Sequence, residues 1–173
     1  LTQEGVGKVL KDLAADGFDY IICDSPAGIE KGAFLAMYFA DRAVVVVNPE
    51  VSSVRDSDRI IGLLDSKTHK AEGGQNVPAF LLLTRYSPAR VETGEMLSIA
   101  DVEEVLGLKA IGVIPESGDV LNASNKGEPV ILDPQSLAGQ AYGDAVARIL
   151  GEERPMRFTT VDKKGFFSKL FGG

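Results

Sequence analysis

The sequence is poor in cysteine, histidine, basic charge and long apolar runs, and each scarcity narrows what the chain can be. A single cysteine, Cys23, excludes an internal disulfide and fits a reducing compartment. It stands inside an apolar run, where a small buried hydrophobe is expected rather than a reactive thiol. The lone histidine, His69, lies in a polar, glycine-containing stretch (66–77) with no cysteine or second histidine nearby, so neither a metal site nor a catalytic role is expected there. No apolar stretch approaches the roughly 18 residues needed to cross a bilayer. The net charge of −7 argues against a general nucleic-acid binder, because neutralising phosphates takes a basic face. The chain begins at Leu1 rather than Met, and further residues are expected before it.

What is present is ordinary for a soluble globular protein: 45% apolar and 25% charged over 173 residues, enough for one domain with a sizeable core. The organising stretch is Phe18 to Gly28. An apolar run, Tyr20-Ile21-Ile22-Cys23, ends abruptly in Asp24 and then in the turn-forming Ser25-Pro26-Ala27-Gly28. Short apolar runs closed by turn signals read as buried strands of a parallel sheet. Ligands of open α/β sheets sit outside the carboxyl ends of the strands, so Asp24 is placed where a carboxylate can face a ligand. Asp and Ser also cap turns, and the pattern alone leaves both roles open.

Around this stretch helices and strands alternate. Residues 3–15 read as a helix with Thr2 as N-cap and Val6, Val9, Leu10 and Leu13 inward, ended by Asp16-Gly17. Within it, Gly5-Val6-Gly7-Lys8 imitates a phosphate loop. It has Thr2 where the first glycine belongs, Val9 where a hydroxyl belongs and no strand before it, so it is read as a decoy. Residues 29–40 form a helix, Ala43–Val47 a second buried strand, and 51–65 a helix started near Ser52 or Ser53. That helix sets an apolar face (Val54, Ile60, Ile61, Leu63, Leu64) against a charged one (Arg55, Asp56, Asp58, Arg59), and the pattern alone favours a solvated surface for the latter. An exposed loop follows over 66–77, then a third strand, 79–83, ending in Thr84-Arg85-Tyr86. A helix over 97–107, a fourth strand over 110–114 closed by Pro115-Glu116, a short helix over 118–126 stopped by Gly127 and an extended piece at 129–132 come next. A final helix, 135–150, turns Leu137, Ala141, Ala145, Val146, Ile149 and Leu150 inward.

The alternation predicts an α/β fold, a doubly wound, mainly parallel sheet with helices on both faces. Parallel strands carry the loops Asp24-Ser25-Pro26, Asn48-Pro49-Glu50, Thr84-Arg85-Tyr86 and Pro115-Glu116 to one edge, so a shared ligand edge is expected from topology.

Residues 1–150 form the domain, 151–162 a polar, proline-containing linker and 163–173 an amphipathic segment. On a helix, Phe166, Phe167, Leu170 and Phe171 share one face, with Lys163, Lys164 and Lys169 supplying cations. Aromatics with lysines on a short amphipathic segment mark an interfacial membrane helix. Packing on the core is the rival, disfavoured by Gly165, the terminal glycines and the linker. Each buried apolar side chain contributes about 1.5–3 kcal/mol at most and each lysine near anionic lipid about 1 kcal/mol, against about 1–2 kcal/mol per residue for ordering the backbone. One tail therefore binds marginally, and two on a dimer bind together, because the second docks intramolecularly.

The motifs Cys23 to Glu30, Asn48 to Arg59, Leu83 to Tyr86, Val113 to Glu116 and the tail from Lys163 to Gly173, in this order, resemble the MinD family of the ParA/MinD group, deviant Walker A P-loop ATPases that determine the septum site. The likeness runs the length of the chain, but the family's deviant Walker A loop and first switch lie upstream and are not in it. The resemblance implies the C-terminal portion of a P-loop NTPase, lacking the N-terminal P-loop strand and helix. It implies ATP and Mg²⁺ as cofactors. Asp24 would be the catalytic carboxylate that reaches the metal, through water; Pro26 would belong, with Ala27 and Gly28, to the switch sensing the γ-phosphate; Arg85, Pro115 and Glu116 would rim the adenine. Glu50, Ser52, Asp56 and Asp58 would lie on the dimer seam where MinC and MinE bind, which raises the functional reading of that charged helix. Lys163, Lys164, Phe166, Phe167, Lys169, Leu170 and Phe171 would hold anionic lipid on the cytoplasmic side of the inner membrane. The implied cycle is a switch: ATP closes a homodimer, paired tails hold the membrane, MinC is recruited to block division-ring assembly, and MinE-stimulated hydrolysis releases the dimer. Without the phosphate loop, these residues alone are expected to be inactive.

Rival readings are a ParA-type DNA-partitioning ATPase, which an acidic chain with an aromatic-basic end disfavours, and a non-enzymatic membrane-docked scaffold. A flavodoxin-like binding domain leaves the tail unexplained.

Overall fold

The computed structural model describes residues 2–26, 28 and 30–160. The elements run α1 (Gln3–Ala15), α2 (Lys31–Met37), β1 (Ala43–Val47), α3 (Val51–Lys67), α4 (His69–Glu72), β2 (Ala79–Tyr86), α5 (Pro88–Glu92), α6 (Ile99–Leu106), β3 (Ala110–Pro115), α7 (Gly118–Lys126), a 3₁₀ turn (Val130–Leu132) and α8 (Leu137–Ile149). The sheet is ordered β1-β2-β3, and β2 pairs with β3 in parallel. The expected mixed α/β architecture is present. Contacts divide the chain into two units, 1–45 with 55–80 and 46–54 with 81–173.

Local chemistry starts and stops the helices where the sequence announces it. Thr2 Oγ1 accepts the Gly5 N–H at 3.2 Å, Ser117 caps α7 and Ser136 caps α8. Ser98 and Asp101 close a reciprocal capping box on α6. Gly107 and Gly127 end α6 and α7 in the left-handed region that other residues adopt only under strain.

In the first unit, α1 passes close to the Phe39 ring at Gly7, where a Cβ would lie 2.8 Å from the ring edge. Gly5-Val6-Gly7-Lys8 is thus inside a helix, a packing device and not a phosphate loop. Tyr38, Met37, Ala33 and Leu64 are buried in this unit. Thr68 is fully buried, and its hydroxyl donates to Leu64 O at 3.0 Å and accepts the Ala71 N–H at 3.2 Å. That cap turns the expected 66–77 loop into the end of α3 and the short α4, so only 73–78 stays irregular. His69 lies with its ring 6.1 Å from Tyr38 and 6.0 Å from Phe39.

In the second unit, Leu82, Ile114, Ala138, Ala141 and Ala145 form the core where α8 covers β3. Its closest point is Gly112, where a Cβ would meet Ala145 Cβ at 2.7 Å and Leu82 Cδ1 at 2.8 Å. This near approach selects small residues and corrects the inward face expected for α8. Ala138, Ala141, Ala145 and Ala147 are buried, while Leu137, Val146 and Leu150 are exposed. Residues 130–132 coil into a 3₁₀ turn rather than extending.

The main correction concerns 18–24. This apolar run is not a strand: Tyr20 is 69% exposed, Ile22 is 92% exposed and Cys23 is exposed rather than buried. A strand persists only when neighbours satisfy its N–H and C=O groups, and among the described residues none pairs with this one. The described sheet accordingly has three strands, not four. β1, expected to be buried, alternates instead: Val45 and Val47 are covered, Val44 and Val46 open. It ends the described sheet, with one face packed and a period of two.

Candidate functional site

The ends of β1, β2 and β3 meet within the second unit, as parallel pairing requires. Thr84 Oγ1 donates to Asn48 Oδ1 at 2.9 Å, joining the ends of β1 and β2. Glu116 N–H donates to Tyr86 O at 3.0 Å, joining β2 and β3. Arg85 Nη2 stands 3.7 Å from Glu116 Oε1, both side chains open to solvent. The expected loop at 84–86 is part of β2, with a break in register between Leu83 and Tyr86. Arg85 sits in that break with φ 55°, a left-handed backbone that a long side chain adopts only when its surroundings hold it there. The bulge aims the guanidinium away from the core and beside the carboxylate of Glu116. Tyr86, 4% exposed, anchors the break, and burial pushes its phenol up, so it stays neutral. Pro115 ends β3, and Ser117 then opens α7, its Oγ accepting the Asp119 N–H at 3.1 Å.

Pro49 is buried, and Glu50 O accepts the Val54 N–H at 3.0 Å to open α3. Glu50, Ser52, Asp56 and Asp58 are exposed. On a helix Ser52 and Asp56 stand one turn apart on one face. Asp56 also has Arg59 Nη1 at 3.7 Å, a fully solvated pair that contributes little to stability.

Asp24 belongs to the first unit, exposed on the segment before α2. It lines an open depression of about 450 Å³ with Val6, Cys23, Lys31, Gly32 and Leu35. Asp24 and Lys31 bring opposite charges to its wall. Pro26 is exposed and packs toward Gly32, where a Cβ would lie 3.3 Å from its Cγ. Among the described residues no three His, Cys, Asp or Glu side chains are placed to hold a metal together. Asp24 alone can offer one carboxylate, which fits Mg²⁺ held mostly by water and phosphate oxygens and no more demanding ion. Lys163, Lys164, Phe166, Phe167, Lys169, Leu170 and Phe171 lie outside the described residues.

Sequence reasoning missed two features of this edge. The left-handed Arg85 has no signal in residue type, because glycine or asparagine marks such positions and arginine does not. The Thr84–Asn48 bond depends on strand order, though polar residues at two strand ends were its available hint.

Solved members of the ParA/MinD group of P-loop NTPases superpose on this chain, whose described residues form a three-stranded sheet with a polar edge at its strand ends. No family model matches. Over its whole length the chain is 62% identical to the septum site-determining protein MinD of Escherichia coli K12, and it spans 64% of that protein. It is 61% identical to MinD of Neisseria meningitidis, spanning 65%. MinD of Aquifex aeolicus, 40% identical, superposes with a TM-score of 0.82, covering 91% of this chain and 64% of that one. The same values of identity and TM-score hold for the Aquifex MinC:MinD complex, with 92% of this chain and 63% of that one covered. MinD of Pyrococcus horikoshii, solved with Mg-ADP, shares the fold with a TM-score of 0.71 at 23% identity, over 86% of this chain and 56% of that one. The chain belongs to the MinD family, whose C-terminal portion it matches.

Proposed function

We propose that the protein carrying this sequence is an ATP-dependent, membrane-associating regulator of cell division. One observation carries this reading: 62% identity, over every residue of the chain, to a septum site-determining MinD. ATP and Mg²⁺ are the proposed cofactors, in keeping with the Mg-ADP of the Pyrococcus protein. Asp24 is the proposed metal-facing carboxylate, with Pro26 in the γ-phosphate switch, and Arg85, Pro115 and Glu116 form the proposed adenine rim. Magnesium supplies charge neutralisation at the phosphates when bound. The chain's own part is to orient one carboxylate toward that charge and to hold the base against the ends of β2 and β3.

In this reading ATP draws two copies together, and Glu50, Ser52, Asp56 and Asp58 stand on the partner-facing surface. MinC, the partner in the Aquifex complex, is the proposed recruit, and MinE the proposed trigger of release by hydrolysis. Residues 163–173 then dock on anionic lipid at the cytoplasmic face of the inner membrane, adequately only in pairs. These 173 residues alone bind ATP weakly and hydrolyse it negligibly, since their single phosphate-loop-like stretch is locked in α1.

The test is sedimentation of the complete protein with anionic vesicles in ATP, ADP or no nucleotide. ATP-selective sedimentation, abolished by Phe167→Glu with nucleotide binding intact, is expected. Equal sedimentation in all three conditions overturns the coupling, and a nucleotide-dependent shift of DNA in place of vesicle binding favours the partitioning class.

A further inference from the structure

We propose that residues 151–158 are a clamped strap rather than free spacer, and that Arg157 is a positioning residue that fixes where the tail leaves the body. The role given to the tail rests on the membrane reading above; the clamp does not.

The observations come from two arginines and one strained residue, all in the second unit. Arg157 Nε donates to Asp144 Oδ2 at 2.6 Å, and its Nη1 donates to Gln140 Oε1 at 3.0 Å. Its Nη2 reaches Gln140 O at 3.4 Å. The Asp144 side chain is only 15% exposed, so this charge pair is sheltered from water on the flank of α8. The same guanidinium lies 5.1 Å from the centre of the Phe158 ring, which packs against the core of Leu82, Ile114, Ala138, Ala141 and Ala145. Phe158 holds φ 63°, a conformation an aromatic residue in a loose linker would relax out of. Upstream, Arg148 donates from Nε to Arg154 O at 3.1 Å and from Nη2 to Pro155 O at 2.6 Å, while its Nη1 donates to Ile111 O of β3 at 2.6 Å. The strap is thus tied to β3 and α8 at both ends.

The consequence is reach. With the strap clamped, about four residues (Thr159 to Asp162) separate the body from the amphipathic segment, at most about 14 Å of chain; released, about twelve (Gly151 to Asp162) would span up to about 40 Å. A short tether holds the second unit against the lipid surface.

Asp144→Asn and Arg157→Ala test this in the complete protein with ATP, with Arg157→Lys keeping the charge but not the forked geometry. Limited trypsin digestion reads cleavage after Arg157 by mass. Wild type is expected to resist, and Asp144→Asn to be cut there about tenfold faster. Wild type cut as fast as Asp144→Asn overturns the clamp. In parallel, a donor dye on Ser124→Cys in a Cys23→Ser background reports energy transfer to an acceptor on phosphatidylglycerol vesicles. Bound Asp144→Asn and Arg157→Ala are expected to lose at least half the transfer of the bound parent, with Arg157→Lys between. Unchanged transfer overturns the positioning role. If the parent binds no vesicles, the membrane reading of the tail fails, and the digestion still decides the clamp.

Discussion

Arg85 keeps a left-handed backbone at φ 55° with its side chain in solvent, so its stability cost and its proposed use can be separated. Arg85→Gly should leave stability unchanged or raise it by about 1 kcal/mol, and Arg85→Val should lower it by about 1–2 kcal/mol, read from urea midpoints. If the adenine rim is assigned correctly, both weaken nucleotide binding by the complete protein alike. Nothing in the residue type announced this position. Thr2 and Gly127, by contrast, were legible as cap and stop because their chemistry is local. Asp101 gives a pH prediction. The Ser98 hydroxyl and then its backbone N–H hold this carboxyl below the usual range. A lowered folded value means the stabilisation is present above the unfolded value of about 4 and is lost as pH falls through the folded one. Ser98→Ala should therefore flatten the acid limb of stability below about pH 4, and an unchanged limb contradicts this assignment.

Among the elements, α8 and β3 pack too closely at Gly112 to admit a methyl. Gly112→Ala forces a methyl onto Ala145 and Leu82 and should cost about 1–3 kcal/mol in thermal or urea unfolding. Ser136, buried at the start of α8, accepts the Gly139 N–H at 3.2 Å; Ser136→Ala should cost about 1–2 kcal/mol in the same assay. The helical period located α8 in the sequence and placed Ala141 and Ala145 inward, but it wrongly added Leu137, Val146 and Leu150, which outrank alanine in any count of hydrophobicity. Only the closeness of the partner strand makes alanine the residue that fits.

At the scale of the molecule, these 173 residues taken alone carry their main liability in the exposed run Phe18, Tyr20 and Ile22. Strand-like, apolar and unpaired, it should drive self-association in the micromolar range, and Ile22→Asp should suppress the light scattering that reports it. Scattering unchanged by that substitution points to another surface. The strand expectation for this run came from its apolar content and its turn, both of which are present. Whether such a run becomes a strand depends on a neighbour, and that lies beyond the reach of local pattern.

By itself the sequence determined the α/β alternation, the Thr2 cap and the Gly127 stop, the decoy nature of Gly5 to Lys8, the family and the polar character of each strand end. All of these follow from residue type and spacing along a few turns of chain. Tertiary structure alone decided that 18–24 is unpaired among the described residues, that Ala138 and Ala147 rather than Leu137 and Leu150 complete the buried face of α8, that Arg85 is strained beside Glu116, and that Arg157 fastens the strap to Asp144. Each of these needs two groups distant in sequence to meet, and distance through space is the quantity a linear pattern does not carry.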